Sequence, residues 1–376
     1  MWNKIQSLAQ SSTCPPPGIE ERIPGPVQID GNPIIPRTPS NGSMALRTGK
    51  LPPGLLAKSI RHTGARDRRV LLGPKLGEDA AIVRIGKGRL LVLKTDPVTY
   101  ASEMIGHYAV HINANDVATR GATPAWFQAT ILLPEGSDEK LPEEISRQIS
   151  SACLELDIAV VGGHTEVTPG ISNPIVVGDM HGLIDKRKPV LTSGARVGDT
   201  VVLTKGAGIE GTATIARMKA AAVEKHIGPA ATRRAARFLF RPGLSVIPEA
   251  KTALGFRVTS MHDPTEGGVL MGVYEMASAS GKSIELRADD VPVLPETARI
   301  CDLFGIDPLG LLGSGALLAT FRPNDAEEYI DALKEMRIRA AAVGSVVSGK
   351  NGSTIVRGGS VTPLVSCERD ELLRIS

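Results

Sequence analysis

A carboxylate beside glycine or another small residue, at the end of an apolar run, recurs four times between residues 77 and 166. The segments are Gly77-Glu78-Asp79-Ala80-Ala81, Lys94-Thr95-Asp96-Pro97, Asn113-Ala114-Asn115-Asp116-Val117-Ala118-Thr119-Arg120-Gly121-Ala122 and Gly162-Gly163-His164-Thr165-Glu166. Each lies at a plausible edge of a sheet. Taken singly, an Asp after a strand is more often a helix cap or turn former. Four in series point to carboxylates converging from separate elements. A nucleotide triphosphate needs cations to offset its charge, and magnesium binds one or two protein carboxylates plus waters and phosphate oxygens. Adjacent glycines let backbone N–H groups approach phosphate without a Cβ in the way. No GxxxxGK[ST] phosphate loop occurs.

The 376 residues are enough for two cores. With 42% apolar and only 3% aromatic residues, those cores must be built from Ala, Val, Ile and Leu, which suits alternating strands and helices. Residues 1–43 hold eight of the 27 prolines and read as a flexible extension; the better-patterned stretch opens at Met44. A first domain is expected over 44–185, with strands at 80–85, 90–93, 126–133, 158–161 and 175–177 and helices at 107–120 and 142–156. The rhythm from 186 to 350 predicts an α/β second domain: strand 200–203, helices 208–222, 233–240 and 245–254, strand 257–261, helix 267–280, strands 283–286 and 316–320, helix 324–336 and strand 340–347. Residues 351–376 form a tail.

A net charge of +3 without long one-signed runs argues against nucleic acid or a membrane surface as partner. Cys14, Cys153, Cys301 and Cys367 lie far apart with no CxxC pair, so neither a zinc site nor a disulfide framework is suggested, and a reducing cytoplasm fits best. No run is long and apolar enough to span a bilayer.

The series of motifs resembles the N-terminal domain of the aminoimidazole ribonucleotide (AIR) synthetase superfamily. The resemblance extends to Gly198–Gly206, to Gly208-Ile209-Glu210-Gly211-Thr212-Ala213, to His262-Asp263-Pro264-Thr265-Glu266-Gly267-Gly268-Val269 and to Leu312–Leu318, which look like its hydrogenase-maturation branch. It implies a mixed α/β, two-domain fold: an N-terminal sheet that forms a barrel shared with a second subunit, and a C-terminal α/β domain closing over an ATP cleft. On that analogy Asp79, Asp96, Asp116 and Glu166 hold Mg2+ and phosphates. Gly77, Lys94, Thr95, Asn115, Gly162, Gly163 and Thr165 bind the nucleotide, and Asp96, Asp116 and His164 take catalytic roles. The implied partners are a second copy, a small-molecule substrate and a maturation-complex protein.

Other readings stand beside these. Lys94 shares a strand face with Asp96, so it neutralises phosphate or forms a plain salt bridge, while Thr95 points away. Glu78 can face solvent. His164 can act as acid, base or hydrogen-bond partner. His107 and His111 stand i, i+4 on a helix but no third ligand follows in a recognisable pattern, so they read as packing or surface residues. Asp263 reads as a capping carboxylate at a helix N-terminus able to receive an anion.

Two departures stand out. Position 266 is Glu where the carbamoyl dehydratases usually carry Arg, and the C-terminus lacks their Pro-Arg-Ile/Val-Cys tail. A serine hydroxyl is a far weaker nucleophile than a thiolate, so dehydratase activity is expected to be absent or altered. The superfamily chemistry then implies γ-phosphoryl transfer from ATP to a carbonyl or amide oxygen. The rivals are a small-molecule kinase of the thiamine monophosphate type, although GGHT stands where that kinase has GGDT, and a non-catalytic nucleotide-binding scaffold.

Overall fold

The computed structural model describes residues 51–99, 103–185, 188–349, 352–366 and 369–375. The Pro-rich extension expected over 1–43 lies outside them. The first half runs α1 (Pro53–Ser59), β1 (Val70–Leu72), β2 (Ala81–Gly86), β3 (Arg89–Val98), α2 (Ile105–Thr119), β4 (Thr123–Leu133), α3 (Leu141–Glu155), β5 (Ala159–Val167) and β6 (Ile175–Asp185). Its strands form a six-stranded sheet in the order β1-β2-β3-β6-β4-β5, antiparallel throughout except for the parallel pair β4–β5.

Alternation along β6 buries Val176, Gly178, Met180, Gly182 and Ile184 under α2, while Val177, Asp179, His181 and Leu183 take the opposite face. Two glycines set the depth of that packing. A Cβ on Gly182 would stand 2.7 Å from the Thr123 carbonyl oxygen and collide with Val117, and one on Gly178 would collide with Asn113. The helix is buried on nearly every side although His107, His111, Asn113, Asn115, Asp116 and Thr119 are polar, so these groups must find partners inside the fold. Only Ile112 among its fifteen residues escapes full burial. Helix α3 is amphipathic and buries Ile145, Ile149, Ala152 and Cys153.

The second half runs β7 (Thr200–Thr204), α4 (Ile209–Met218), α5 (Ala220–Ile227), α6 (Pro229–Ala236), α7 (Ile247–Ala253), β8 (Ser260–His262), α8 (Gly268–Ser280), β9 (Ser283–Arg287), α9 (Pro295–Phe304), β10 (Leu318–Phe321), α10 (Pro323–Glu335), β11 (Ala340–Val347), β12 (Thr354–Arg357) and β13 (Ser360–Pro363). They build a seven-stranded sheet in the order β13-β12-β9-β11-β7-β10-β8. The chain is thus mixed α/β with two mixed sheets. Asn115 ties the halves: its amide donates to the Leu244 carbonyl at 2.9 Å and accepts from Val246 N–H at 2.9 Å.

Candidate functional site

The loop before β2, the outer half of β3, the last turn of α2, the end of β8 and one face of α8 enclose a cleft of about 360 Å3. Gly77, Glu78, Asp79, Lys94, Asp96, Asp116, His262, Asp263, Thr265 and Glu275 line it. Lys94 and Asp96, two apart on β3, project to the same side. The Lys94 ammonium lies 2.7 Å from Asp116 and 3.3 Å from Asp96. Burial would weaken that charge, but Asp116 and Asp96 hold the Lys94 pKa above its usual range.

A second cation group sits behind it. The fully buried Arg120 guanidinium reaches Glu78 at 2.6 Å and Asp79 at 3.1 Å. His262 Nδ1 lies 3.0 Å from Asp79 and Nε2 3.0 Å from Glu275. Burial opposes the imidazolium, yet Asp79 and Glu275 raise His262 to about 10, so the ring is charged at neutral pH. Burial likewise opposes ionised Asp79, and His262 and Arg120 overcome it, holding Asp79 well below the usual carboxylate range.

Asp116 and Asp263 differ. Burial lifts Asp116 to about 7, Lys94 pulling against it while Asp79 and Asp96 push further. Burial, then Asp116 and Asp79, push Asp263 far up, and neither of its carboxylate oxygens has a hydrogen-bond partner among the described residues. Lys94, Arg120 and His262 leave these two Asp263 oxygens without such a partner, and a hard dication would satisfy the oxygen set that Asp263 forms with Asp79, Asp96 and Asp116. The residues present therefore fit Mg2+.

Of the sequence-derived residues, Gly77, Asp79, Lys94, Asp96 and Asp116 meet in this cleft. Gly77 (φ +74°) lets its loop lie on α8, since a Cβ there would stand 3.0 Å from the Glu275 carbonyl oxygen. Thr95 faces the opposite side of the sheet and donates to the Gly178 carbonyl. Asn115 clamps the 244–246 segment. Gly162, Gly163, His164, Thr165 and Glu166 lie on β5, an exposed edge strand that does not line the cleft, where His164 pairs with Glu166 at 3.0 Å.

The Glu78 side chain is turned inward against Arg120 rather than toward solvent. Asp263 does not cap α8, which has no side-chain cap; just before the helix Asp370 of the C-terminal segment accepts from Gly267 N–H at 2.6 Å. The sequence did not mark His262 and Glu275 as cleft groups, nor pair the buried Arg120 behind them with a GEDAA carboxylate.

A second hollow, of about 140 Å3, opens from the same place. Asp96 and Thr265 belong to both linings, and Pro97, Val98, Thr99, Ile112, Glu210, Thr214, Glu266, Leu312 and Ser314 complete the smaller one. Burial raises Glu210 to about 8, leaving it largely protonated at neutral pH.

The carbamoyl dehydratase HypE of Rhizobium leguminosarum bv. viciae is 26% identical over 321 residues, 83% of this chain and 86% of its own. Among solved structures, HypE in complex with ATP superposes with a TM-score of 0.62 at 22% identity, covering 85% of this chain and 92% of that one. HypE in a HypE–HypF complex gives 0.64 at 22%, covering 77% and 93%. ThiL complexed with AMPPCP and TMP gives 0.64 at 21%, covering 84% and 94%. The AIR synthase related protein N-terminal domain model matches residues 77–184 and the C-terminal domain model residues 196–357, so the chain belongs to the AIR synthase related family.

Proposed function

We propose that the chain is an ATP-dependent enzyme of the HypE type that transfers a γ-phosphoryl group to a carbonyl or amide oxygen of a small substrate. The observation that carries this reading is the meeting of Asp79, Asp96, Asp116 and the orphaned Asp263 around Lys94 in one cleft. The relatives named carbamoyl dehydratase and the ATP complex of HypE support it.

In this reading the larger cleft takes the nucleotide, and the hollow beside Asp96 takes the acceptor. Asp79, Asp96, Asp116 and Asp263 would hold Mg2+, which supplies charge neutralisation at the phosphates. Lys94 adds a fixed positive charge at the junction. Asp96, in both linings, stands where the γ-phosphorus would change partners: the bond to the ADP oxygen breaks as the bond to the acceptor oxygen forms. Protonated Glu210 can donate a hydrogen bond to the acceptor. Closure of the C-terminal half would exclude water.

The exposed β5 edge supports a homodimer, in which Gly162, Gly163, His164, Thr165 and Glu166 would stand at the subunit interface. The HypE–HypF complex supports a protein partner in a maturation assembly. The ThiL likeness favours, as the second reading, direct phosphorylation of a small phosphate ester.

Phosphate release from Mg-ATP tests the proposal. The wild type should turn over ATP, and Asp96→Asn should lower the rate by about 100-fold or more, the scale for removing one preorganised electrostatic group. Equal release by both proteins would sink it.

A further inference from the structure

His107 and His111 stand one turn apart in the N-terminal half of α2, outside the lining of the carboxylate cleft, and their ring centroids are 4.1 Å apart. Both are buried. Neither ring nitrogen of His111 has a hydrogen-bond partner among the described residues. Glu155, the last residue of α3, brings a carboxylate oxygen to 3.9 Å from His111 Nε2. One donor atom from each of His107, His111 and Glu155 falls within 4.8 Å of the other two. The sequence hides this third group because it lies 44 positions beyond His111, on a different helix.

We infer that His107, His111 and Glu155 form a binding site for a borderline transition-metal ion of the Zn2+ class, separate from the nucleotide cleft. A fully buried imidazole with two unsatisfied nitrogens carries a desolvation cost that apolar packing does not offset, and coordination would satisfy one of the two. Burial, and for His111 also the nearby His107 and Lys205, disfavour the charged form of both rings. Lys205 is itself neutralised by Glu249 at 2.9 Å.

His107 Nε2 lies 3.4 Å from the Leu239 carbonyl. A bond there would fix one tautomer and leave the other nitrogen's lone pair free, an arrangement common behind metal-bound histidines. Two imidazoles and a carboxylate suit Zn2+ with one further position for water, and they do not suit Mg2+, which prefers oxygen donors. Glu155 is 61% exposed on its side chain, so an ion can enter from solvent. Bound there, it would pin the end of α3 to α2.

The test uses the full-length protein, stripped with a chelator and titrated with Co2+ as the visible probe and with Zn2+ against a chromophoric competitor. One equivalent should bind with a ligand-field absorption band, and Asp96→Asn, which alters only the cleft, should leave it unchanged. His111→Leu should abolish the band. Glu155→Gln should weaken Zn2+ by about 10-fold or more and remove any zinc-dependent rise in Tm. Position 155 is exposed, so this variant decides the matter even where His111→Leu fails to fold. Absence of the band in the wild type, or wild-type affinity in Glu155→Gln, would overturn the assignment.

Discussion

Arg120 is fully buried, and its guanidinium spans Glu78, Asp79, the Thr192 hydroxyl and the Met261 carbonyl. It joins the first half of the chain to the end of β8. Removing it would leave Glu78, whose side chain is 1% exposed, with Lys75 at 3.9 Å as its remaining cation. Arg120→Met should cost about 3–5 kcal/mol in urea unfolding, and Arg120→Lys should recover little of it because an ammonium cannot reproduce the two-pronged contact.

Glu210 gives a pH signature of opposite sense to a salt-bridged acid. Its folded value of about 8 exceeds the ordinary 4.5. Between those values the folded state keeps a proton that the unfolded chain has released, so stability falls as pH rises through that window and is level outside it. Glu210→Gln lacks this titration, so its stability relative to wild type should grow by about 3–4 kcal/mol from about pH 5 to about pH 8. An unchanged difference across the window would show that Glu210 titrates normally. The cleft carboxylates of β3 and α2 were legible because each stands beside a small residue after an apolar run. Arg120 and His262 were not, since their partners lie 42 and 183 positions away and only the tertiary fold joins them.

At the level of elements, α2 lies on β6 because Gly178 and Gly182 leave room for Asn113 and Val117. Gly182→Ala should therefore force the helix outward or shift the β6–β4 pairing, costing about 1–3 kcal/mol by thermal unfolding. Gly86→Ala is the matched control, with nothing within 4 Å of the added methyl. Equal Tm values for the two would contradict the packing argument. The same polar motifs that marked the site hid the strand ends. β3 was read as 90–93 but runs through Lys94-Thr95-Asp96 to Val98, and β5 continues through the glycine pair to Val167. Neighbouring strands satisfy those backbone groups, so turn-forming residues stay extended. The helix read over 208–222 breaks at Lys219 into α4 and α5, and α9, though amphipathic, and the short strands β12 and β13 were not foreseen.

On the scale of the whole molecule, the six-stranded sheet is covered on one face only among the described residues. Its other face carries Trp126, Val177 and Leu183 alongside the polar group Gln128, Asp179 and His181, in which Gln128 donates to Asp179 at 2.8 Å. At the edge, β5 is exposed along its whole length, with Val160, Val161 and Val167 at 51%, 58% and 59%. A long apolar edge strand of this kind invites pairing with another chain unless charge or a bulge protects it, and β5 carries only Glu166 and His164, which are engaged with each other. The proposed homodimer would bury this edge and the open face together. Sedimentation should then show a dimer for the wild type, and Val161→Lys, placing a charge in the seam, should weaken association at least 10-fold while leaving the monomer folded. Because His164 and Glu166 would reach their working positions only in the dimer, ATP turnover should fall together with dimer content across a dilution series. Turnover that holds constant through full dissociation would confine the site to one chain and leave the GGHTE segment without a part in it.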